Sequence, residues 1–221
     1  MSTTRAFLSQ QLHRQWKSVL NRLIGVIDLM DGVAVHGIAG NRSQYQPIGE
    51  LSDNECSLLH WYRSIGIRRF YVADLNGLMG SGRQRIALLT LAREVRRDEI
   101  LWIDCGWAGS VSQVDQDWLK QMNRSIANGA SLRWVIATET ADSIDVMNQM
   151  LEFIDASNLT LSLDFRAGAV CRVPKLPPIG PWPLEKEIFG KEFCWMSPRL
   201  AANPAQEMAT CFLTSFRGLA T

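Results

Sequence analysis

Four aspartates stand at the ends of hydrophobic segments in this sequence, and their positions point to chemistry. Asp28, Asp74, Asp104 and Asp164 each lie at or near the C-terminal end of a short apolar run with the character of a buried strand. In parallel α/β folds, the C-terminal ends of the strands and the loops after them form the active face. Each aspartate alone could equally cap the loop or helix that follows it. Their coincidence at one end of the predicted strands indicates a site.

An internal repeat singles out two of these carboxylates. Residues 27–35 (IDLMDGVAV) and 163–171 (LDFRAGAVC) share one pattern, in which an apolar residue, Asp, an apolar residue, two variable positions and Gly recur in register. Three predicted strands separate the copies, so in an eight-stranded barrel the copies would face each other across the axis. Two carboxylates on opposite sides of one pocket can serve as general acid and general base.

Alternating strands and helices are predicted to position these residues. Strands are expected at 25–29, 67–74, 100–105, 132–137 and 159–165, and helices from Ser52 to Gly66, at 83–97, at 113–128 and at 143–154. Ser52 and Glu55 have the spacing of a capping box. The alternation predicts an α/β fold of the TIM-barrel type, incomplete at about five βα units, with a parallel sheet in the strand order 1-2-3-4-5. The predicted buried residues are Val26, Ile27, Val72, Ile103, Val135, Ile136 and Leu161.

The chain divides into three predicted parts. Residues 1–22 form an N-terminal basic helix, although their basic and apolar pattern is also that of an organelle transit peptide. Residues 23–172 form the barrel portion, and residues 173–221 form a proline-rich linker and a helix that begins with Asn203 as cap and Pro204 as first residue. We expect this C-terminal part or another subunit to cover the far edge of the fifth strand and the open edge of the first strand.

Composition narrows the class of function. The formal net charge is +1 and no basic block follows the first helix, which argues against nucleic acid as a partner. The apolar runs are shorter than the roughly 18 residues of a membrane helix, so no membrane partner is expected. The five cysteines lack the spacing of disulfide or metal sites, which indicates reduced thiols and a cytoplasmic location.

The motifs together resemble a known family. The segments VIDLMDGVAVHGIAGNRSQYQPI, FYVADLNGLMG, WIDCG, WVIATET and LSLDFRAGAV occur in this order between residues 23 and 172. They are similar to the isomerase and cyclase barrels of histidine biosynthesis, and most similar to relatives of phosphoribosylformimino-5-aminoimidazole carboxamide ribotide isomerase in archaea and in bacteria with methanopterin-linked metabolism.

The resemblance implies roles for individual residues. Asp28 and Asp164 match the acid and base of an Amadori rearrangement, an aldose to ketose shift of a phosphoribosyl amine, which needs no metal and no organic cofactor. Gly106, Thr138 and Thr140 match the loops that bind a substrate phosphate through backbone amides. Asp74 is predicted to contact the substrate on the same face. The sequence departs from the family in Ala137, in place of a favoured glycine, and in Trp107 and Ala108, in place of a glycine-rich turn.

The end of the sequence departs further from the family. A complete barrel typically needs about 250 residues, and only residues 166–221 follow the fifth predicted strand. A truncated or frame-shifted gene, a remodelled paralogue, and a sheet completed by a partner chain would each produce this pattern. Three hypotheses follow: an isomerase acting on a phosphorylated ribosyl amine, a relative serving methanopterin-linked one-carbon metabolism, and an inactive remnant acting as an interaction protein. A homo-oligomer formed through open sheet edges is compatible with each.

Overall fold

The computed structural model describes residues 16–17, 19–37, 44–143, 145–166, 169–170, 194–195 and 210–213, with the backbone alone from residue 163 onward. The strands in these ranges are β1 (Gly25–Met30), β2 (Val33–His36), β3 (Gln46–Pro47), β4 (Arg69–Asp74), β5 (Ile100–Asp104), β6 (Ser131–Ala137), β7 (Leu159–Arg166), β8 (Ala169–Val170), β9 (Cys194–Trp195) and β10 (Thr210–Leu213). The α-helices are α1 (Ser57–Ser64), α2 (Leu75–Leu78), α3 (Arg85–Glu94), α4 (Gln113–Ser125) and α5 (Asp145–Leu151). Two 3-10 turns cover Gly49–Ser52 and Ala156–Asn158.

A parallel sheet forms the centre of the molecule. Strands β1, β4, β5, β6 and β7 are neighbours in that order, and each adjacent pair is parallel. Helices alternate with these strands along the chain. Both the predicted strand order and the α/β fold of the TIM-barrel type are confirmed. The carboxyl ends of all five strands therefore lie at one edge, which is where such folds carry their sites.

The two faces of the sheet differ in what covers them. One face packs against the helices in a continuous apolar core that includes Ile27, Phe70, Val72 and Ile103, all fully buried. Along β1 burial alternates residue by residue, as a strand with one helix-covered face requires. Val26 lies on the other face, the inner face, and is half-buried, whereas the prediction had it fully buried. Leu161 is also half-buried, packed against the edge of the core.

Antiparallel strands flank the parallel sheet on both sides. β2 turns back along β1, and β3 pairs with β2. On the other side β10 pairs with β7 and β9 pairs with β10. The C-terminal part therefore covers the far edge of the fifth parallel strand, as predicted, whereas the edge of β1 is covered by β2, which the prediction did not foresee. A strand in this place uses backbone groups of β7 that would otherwise lack partners.

The predicted C-terminal helix is wrong over residues 210–213, which form β10. The threonine, cysteine and phenylalanine of this segment suit a strand, and pairing with an open sheet edge outweighs a weak helical pattern. The rest of the predicted helix, including Asn203 and Pro204, lies outside the described residues, as does the proline-rich segment.

The first helix boundary also differs from the prediction. The Ser52 hydroxyl donates to the carbonyl oxygen of Gly49 within a 3-10 turn, and α1 begins at Ser57. A capping box is present instead at α4, where Ser112 and Asp115 bond to each other's backbone amides. Of the basic N-terminal segment, residues 16–17 and 19–20 are helical and residues 1–15 lie outside the described part. Among the described helices, none is long and apolar enough to cross a membrane.

Candidate active site on the inner face of the sheet

A row of residues crosses the inner face at one level of the hydrogen-bonded ladder. Asp28 is paired with Ala73, Ala73 with Asp104, Asp104 with Val135, and Val135 with Thr160. Residues paired in this way on adjacent parallel strands point to the same face. Two of the four strand-end aspartates, Asp28 and Asp104, therefore share a face and a level.

The two carboxylates stand on either side of a small residue. Because Ala73 lies on the strand between them, the α-carbons of Asp28 and Asp104 are about two strand spacings, or about 10 Å, apart. Asp28 is half-buried, whereas Asp104 is 4% exposed and accepts a hydrogen bond of 2.9 Å from the Tyr71 hydroxyl. Ala73 between them is 6% exposed and packs in one cluster with Tyr45.

Asp164 lies on β7, where the backbone is described. It lies four residues after Thr160, the position that the ladder connects to Asp28. Four strand steps separate β1 from β7. Thr160 and Asp164 are an even number of residues apart, so the two positions lie on the same face of the strand.

The repeat around Asp28 and Asp164 is a structural repeat. In the first copy, Leu29 pairs with Ala34 and Met30 with Val33. In the second copy, the matching positions Phe165 and Arg166 pair with Val170 and Ala169. Both aspartates therefore precede a hairpin of the same register. The Asp31-Gly32 turn has positive φ at both residues, 51° and 84°, which is the type I′ geometry that fits hairpin twist.

Asp74 has a different role in this structure. It is fully buried, and it is the N-cap of α2 through a hydrogen bond from the Gly77 amide. Its other bonds come from the backbone amide of Gln84, at 2.8 Å, and from the Gln84 side-chain amide, at 2.8 Å. Its ladder partner is Leu29, which belongs to the helix-covered core. The structure therefore does not bring Asp74 to the inner face with Asp28.

Gln84 links Asp74 to the strand that carries Asp28. Besides bonding Asp74, the Gln84 side chain donates to the Leu29 carbonyl oxygen and accepts from the Gly32 amide. Asn76 and Asp31 bond to each other next to it. Asp74 thus holds the end of β1 and its hairpin turn through Gln84, which is a positioning role that the sequence analysis missed.

The predicted phosphate-binding amides already have acceptors within the protein. The Thr138 amide donates to the Ser162 carbonyl oxygen at 3.0 Å, and the Thr140 amide donates to the Ala137 carbonyl oxygen at 3.1 Å. The Gly106 amide is 3.4 Å from an oxygen of Asp104. In this geometry the three amides do not form a cradle, and phosphate binding would require these bonds to be exchanged.

The loop after β5 is fixed by packing. A Cβ on Gly106 would lie 2.6 Å from the Gly77 carbonyl oxygen, so this glycine permits close contact with α2. Trp107 is 1% exposed and packs into the apolar core between the sheet and the helices. The Arg83 guanidinium lies 3.9 Å from the centroid of its ring. Arg83 also donates to the Cys105 carbonyl oxygen and to Asp115. A buried tryptophan explains why this loop lacks the glycine-rich turn.

Three inner-face residues were missed or undervalued in the sequence analysis. Asp104 was seen as a strand-end carboxylate but was not assigned to the site, and Tyr71 and Tyr45 were not singled out. Alternation along β4 would have placed Tyr71 on the face of Ala73. Tyr45 packs with Val35, Ala73 and Leu75 on this face. Among the described residues, no group of three or more His, Cys, Asp or Glu side chains could hold a metal ion.

Comparison with known proteins identifies the family. A family described as "Histidine biosynthesis protein" matches residues 22–175, which include all five parallel strands. The chain belongs to this family. An uncharacterized protein of Methanocaldococcus jannaschii is 30% identical over 152 residues, which are 66% of this chain and 58% of that relative. The chain thus spans little more than half the length of the relative.

Proposed function

We propose that this histidine-biosynthesis-type barrel chain catalyses an aldose to ketose rearrangement of a phosphoribosyl amine, with Asp28 and Asp164 as the acid and base. The observation that carries the proposal is the pair of hairpins in identical register, which gives the two aspartates equivalent places on β1 and β7. Membership of the family supports the reaction class. The substrate and the activity are part of the proposal.

The reaction needs two proton transfers on neighbouring carbons. The acid gives a proton to the ring oxygen, the bond from C1 to that oxygen breaks, and the amine nitrogen forms a double bond to C1. One carboxylate then removes the proton from C2, the electron pair forms the double bond between C1 and C2, and the pair of the C1–N double bond returns to nitrogen, which leaves an enol that carries the amine on C1. C1 then takes a proton while the C2 hydroxyl loses its proton and becomes the ketone. Two carboxylates on opposite sides of the substrate can divide these steps, with the roles assigned either way round.

Asp104 and Tyr71 would assist on the same face. A 2.9 Å hydrogen bond joins Tyr71, on the strand next to β1, to Asp104, on the strand after that. This bond fixes the direction of both polar groups on the inner face. Burial raises the pKa of Tyr62 above 10.0, although the hydrogen bond to the Val26 carbonyl oxygen lowers it. The negative charge of Asp28 raises this pKa further.

A second candidate function is that the chain binds a different ligand on the same fold, for example in methanopterin-linked one-carbon metabolism. This candidate is favoured because the backbone amides of Thr138, Thr140 and Gly106 already donate to oxygens of the protein itself. A barrel that has lost its phosphate cradle would keep the carboxylates and change the substrate. An inactive chain acting as an interaction protein would have the same loop.

The test is an isomerase assay on the wild type, Asp28→Asn and Asp164→Asn, with the phosphoribosylformimino substrate of the family. We expect turnover by the wild type and a loss of 10²- to 10⁴-fold in kcat for each variant, the usual contribution of an acid or base. Asp53→Asn, an exposed position in the loop before α1, is the matched control and should retain full activity. No turnover by the wild type would favour the second candidate.

A further inference from the structure

The amino ends of the parallel strands lie at the edge of the sheet opposite the carboxyl ends, and this end of the molecule exposes large apolar side chains. Trp16, in the segment before β1, is 62% exposed. Four further residues are between 43% and 46% exposed, namely Val19, Leu23, Trp61 and Ile65. Apolar residues exposed in a group, rather than singly, mark a surface that binds a partner.

These five residues adjoin one another. Residues 16, 17, 19 and 20 are helical, so the three exposed residues before β1, at spacings of three and four, lie on one side of this segment. Leu20, next to them, packs against the core. A Cβ on Gly66, directly after Ile65 at the end of α1, would lie 2.9 Å from the Leu20 Cδ1 atom. The segment is therefore in contact with the end of α1, and the five residues form one surface, which we call the basal patch.

Basic side chains lie at the same end of the molecule. Helices α3 and α4 both end there, with exposed Arg93 and Arg124 in their last turns. The other exposed basic residues at this end are Lys17, Arg22, Arg68, Arg96 and Arg97. Although the whole chain has a formal net charge of only +1, many of its positive charges are thus collected beside the basal patch.

The acidic residues of this end do not cancel these charges. Those in the described part of the chain are Glu94, Asp98, Glu99, Glu152 and Asp155. Glu94 bonds to His60, and Glu99 is buried against Arg63. Glu152 and Asp155 precede β7, which is the parallel strand furthest from β1 in the sheet. The part of this end formed around β1, β4 and β5 is therefore basic.

The sequence before the described residues has the same two features. Residues 1–15 add two arginines and no acidic residue. They also contain Phe7, Leu8 and Leu12, at helical spacing with Trp16. A segment that combines basic residues with apolar residues at this period is typical of chains that lie on an anionic membrane surface.

We propose that the basal patch binds the surface of an anionic phospholipid membrane, with its apolar side chains among the headgroups and the surrounding arginines on the anionic lipids. Tryptophan favours this boundary, and basic side chains beside it are attracted by the negative surface potential. A nucleic acid would neutralise the arginines but would leave the aliphatic side chains exposed. A symmetric dimer would place the patch against its own copy and would bring two basic surfaces together.

This mode of binding needs no membrane-spanning helix. The expectation of no membrane partner concerned chains that cross a bilayer, which takes roughly 18 apolar residues, whereas a surface contact needs only a shallow apolar face with basic neighbours. The basal patch and the carboxyl ends of the strands are at opposite edges of the sheet, so membrane binding is independent of the proposed isomerase function.

Vesicle sedimentation with the full chain tests the proposal. The probes are vesicles of pure phosphatidylcholine and vesicles that contain about 30 mol% phosphatidylserine, an anionic lipid. We expect the chain to bind the anionic vesicles at least about tenfold more tightly than the neutral ones at low salt. The difference should disappear at about 0.5 M salt, because salt screens the charges.

One double variant tests the basic residues. Each basic residue near an anionic surface strengthens binding by about fivefold, so Arg96→Gln combined with Arg97→Gln should weaken binding to the anionic vesicles by about 25-fold. Lys120→Gln, an exposed position in the middle of α4, is the matched control and should bind like the wild type. All three side chains are exposed, so the variants should fold as the wild type does.

A second variant tests the apolar residues. Trp16→Ser should weaken binding to the anionic vesicles by on the order of tenfold, because the side chain no longer enters the headgroup region. Ile86→Ser is the control, since Ile86 is 84% exposed in the first turn of α3, at the other end of the molecule. Binding of the Trp16→Ser protein equal to that of the wild type would overturn the proposal.

Three other outcomes would also overturn it. The wild type would bind neither kind of vesicle, or would bind both alike at low salt. In the third, the wild type would be a dimer in size-exclusion chromatography and Trp61→Ser a monomer, which would assign the patch to a second copy of the chain. None of these measurements uses isomerase turnover, so a failure here leaves the proposed function untouched, and an inactive chain leaves the membrane surface untouched.

Discussion

At the scale of single residues, the strand-end aspartates differ by the face on which they lie. Asp28 and Asp104 share the inner face, whereas Asp74 lies one ladder position further along and faces the helices. The shift of one residue moves a side chain through the sheet, so the same residue type at a strand end can act in a site or fix a loop. The sequence shows the aspartates but not the face.

Replacing Asp74 tests this difference. Asp74→Asn places an amide next to the Gln84 backbone amide and removes the charge that accepts from Gly77 and Gln84. We expect the free energy of unfolding to fall by roughly 2 to 4 kcal/mol, because bonds to a buried charged group are lost. Urea unfolding of Asp74→Asn, with the exposed Asp53→Asn as control, measures the change. Equal stability of the two variants would refute the capping role.

At the scale of elements, hairpins after β1 and β7 define the repeat. The type I′ turn at Asp31-Gly32 reverses the chain at once, so β2 lies beside β1 and brings Gly37 near Asp28. The pattern of paired residues is the same after β7, where Arg166 pairs with Ala169. The sequence repeat therefore corresponds to a repeat of strand pairing, and in both copies the aspartate comes directly before the pair Leu29–Ala34 or Phe165–Val170.

Gly32→Ala tests the turn. A Cβ at this position would meet nothing within 4 Å, so the cost lies in the φ of +84° alone. We expect a loss of about 1 kcal/mol in the free energy of unfolding, because a left-handed backbone is unfavourable for alanine. Gly109→Ala, which has no positive φ, should cost less in the same urea titration. A Gly32→Ala protein as stable as the wild type would contradict the turn geometry.

A buried ion pair joins α1 to the start of β5. The Arg63 Nε and Nη2 atoms donate to the two oxygens of Glu99, each at 2.9 Å, and Nη2 also donates to the Glu94 carbonyl oxygen. Burial raises the pKa of Glu99, but the bonds from Arg63 and the Arg96 amide, with the charges of Arg63 and Arg68, outweigh it and hold the pKa below 4.5. The ion pair therefore connects α1 to the start of β5 and to the end of α3.

The lowered pKa predicts acid sensitivity. Because the folded pKa lies below the unfolded one, the stabilisation is complete above about pH 4.5 and is lost as the pH falls through the folded value. We expect Glu99→Gln to show a weaker dependence of unfolding free energy on pH below 4.5 than the wild type. At pH 7 it should be less stable by about 3 to 5 kcal/mol, since Arg63 would remain buried without its partner. Exposed Glu50→Gln serves as control, and an unchanged acid slope in Glu99→Gln would count against the pair.

At the scale of the whole molecule, five parallel strands form the part of a barrel that carries Asp28 and Asp164, and antiparallel strands cover both sides. β10 lies where a sixth parallel strand of a barrel would pair with β7. The antiparallel direction means that the sheet is continued by a different kind of unit from the preceding βα repeats. The row of Asp28, Ala73 and Asp104 is complete within the parallel part.

The parallel strands could be predicted because each is a continuous apolar run with a turn signal after it. Gly66, with a φ of +100°, follows the C-cap of α1 as predicted, whereas α4 ends at Ser125, four residues before Gly129. The capping box at Ser52 was wrong because its local spacing competes with a 3-10 turn, and β10 was missed because its partner lies far away in sequence. The face on which Asp74 lies could not be predicted, because a shift of one residue along β4 moves a side chain to the other face of the sheet. Tyr45 was missed because nothing local marks a hydroxyl that will be buried.

Solvent deuterium tests the central claim most directly, because acid-base catalysis by Asp28 and Asp164 must exchange protons with the substrate. The wild type is incubated in D₂O with the phosphoribosylformimino substrate of the family, and the product is examined by mass spectrometry. We predict a ketose that carries deuterium at C1 from the wild type, and a product rate lower by at least about 100-fold in Asp28→Asn and in Asp164→Asn. The absence of product from the wild type, or equal rates in the wild type and both variants, would contradict the account.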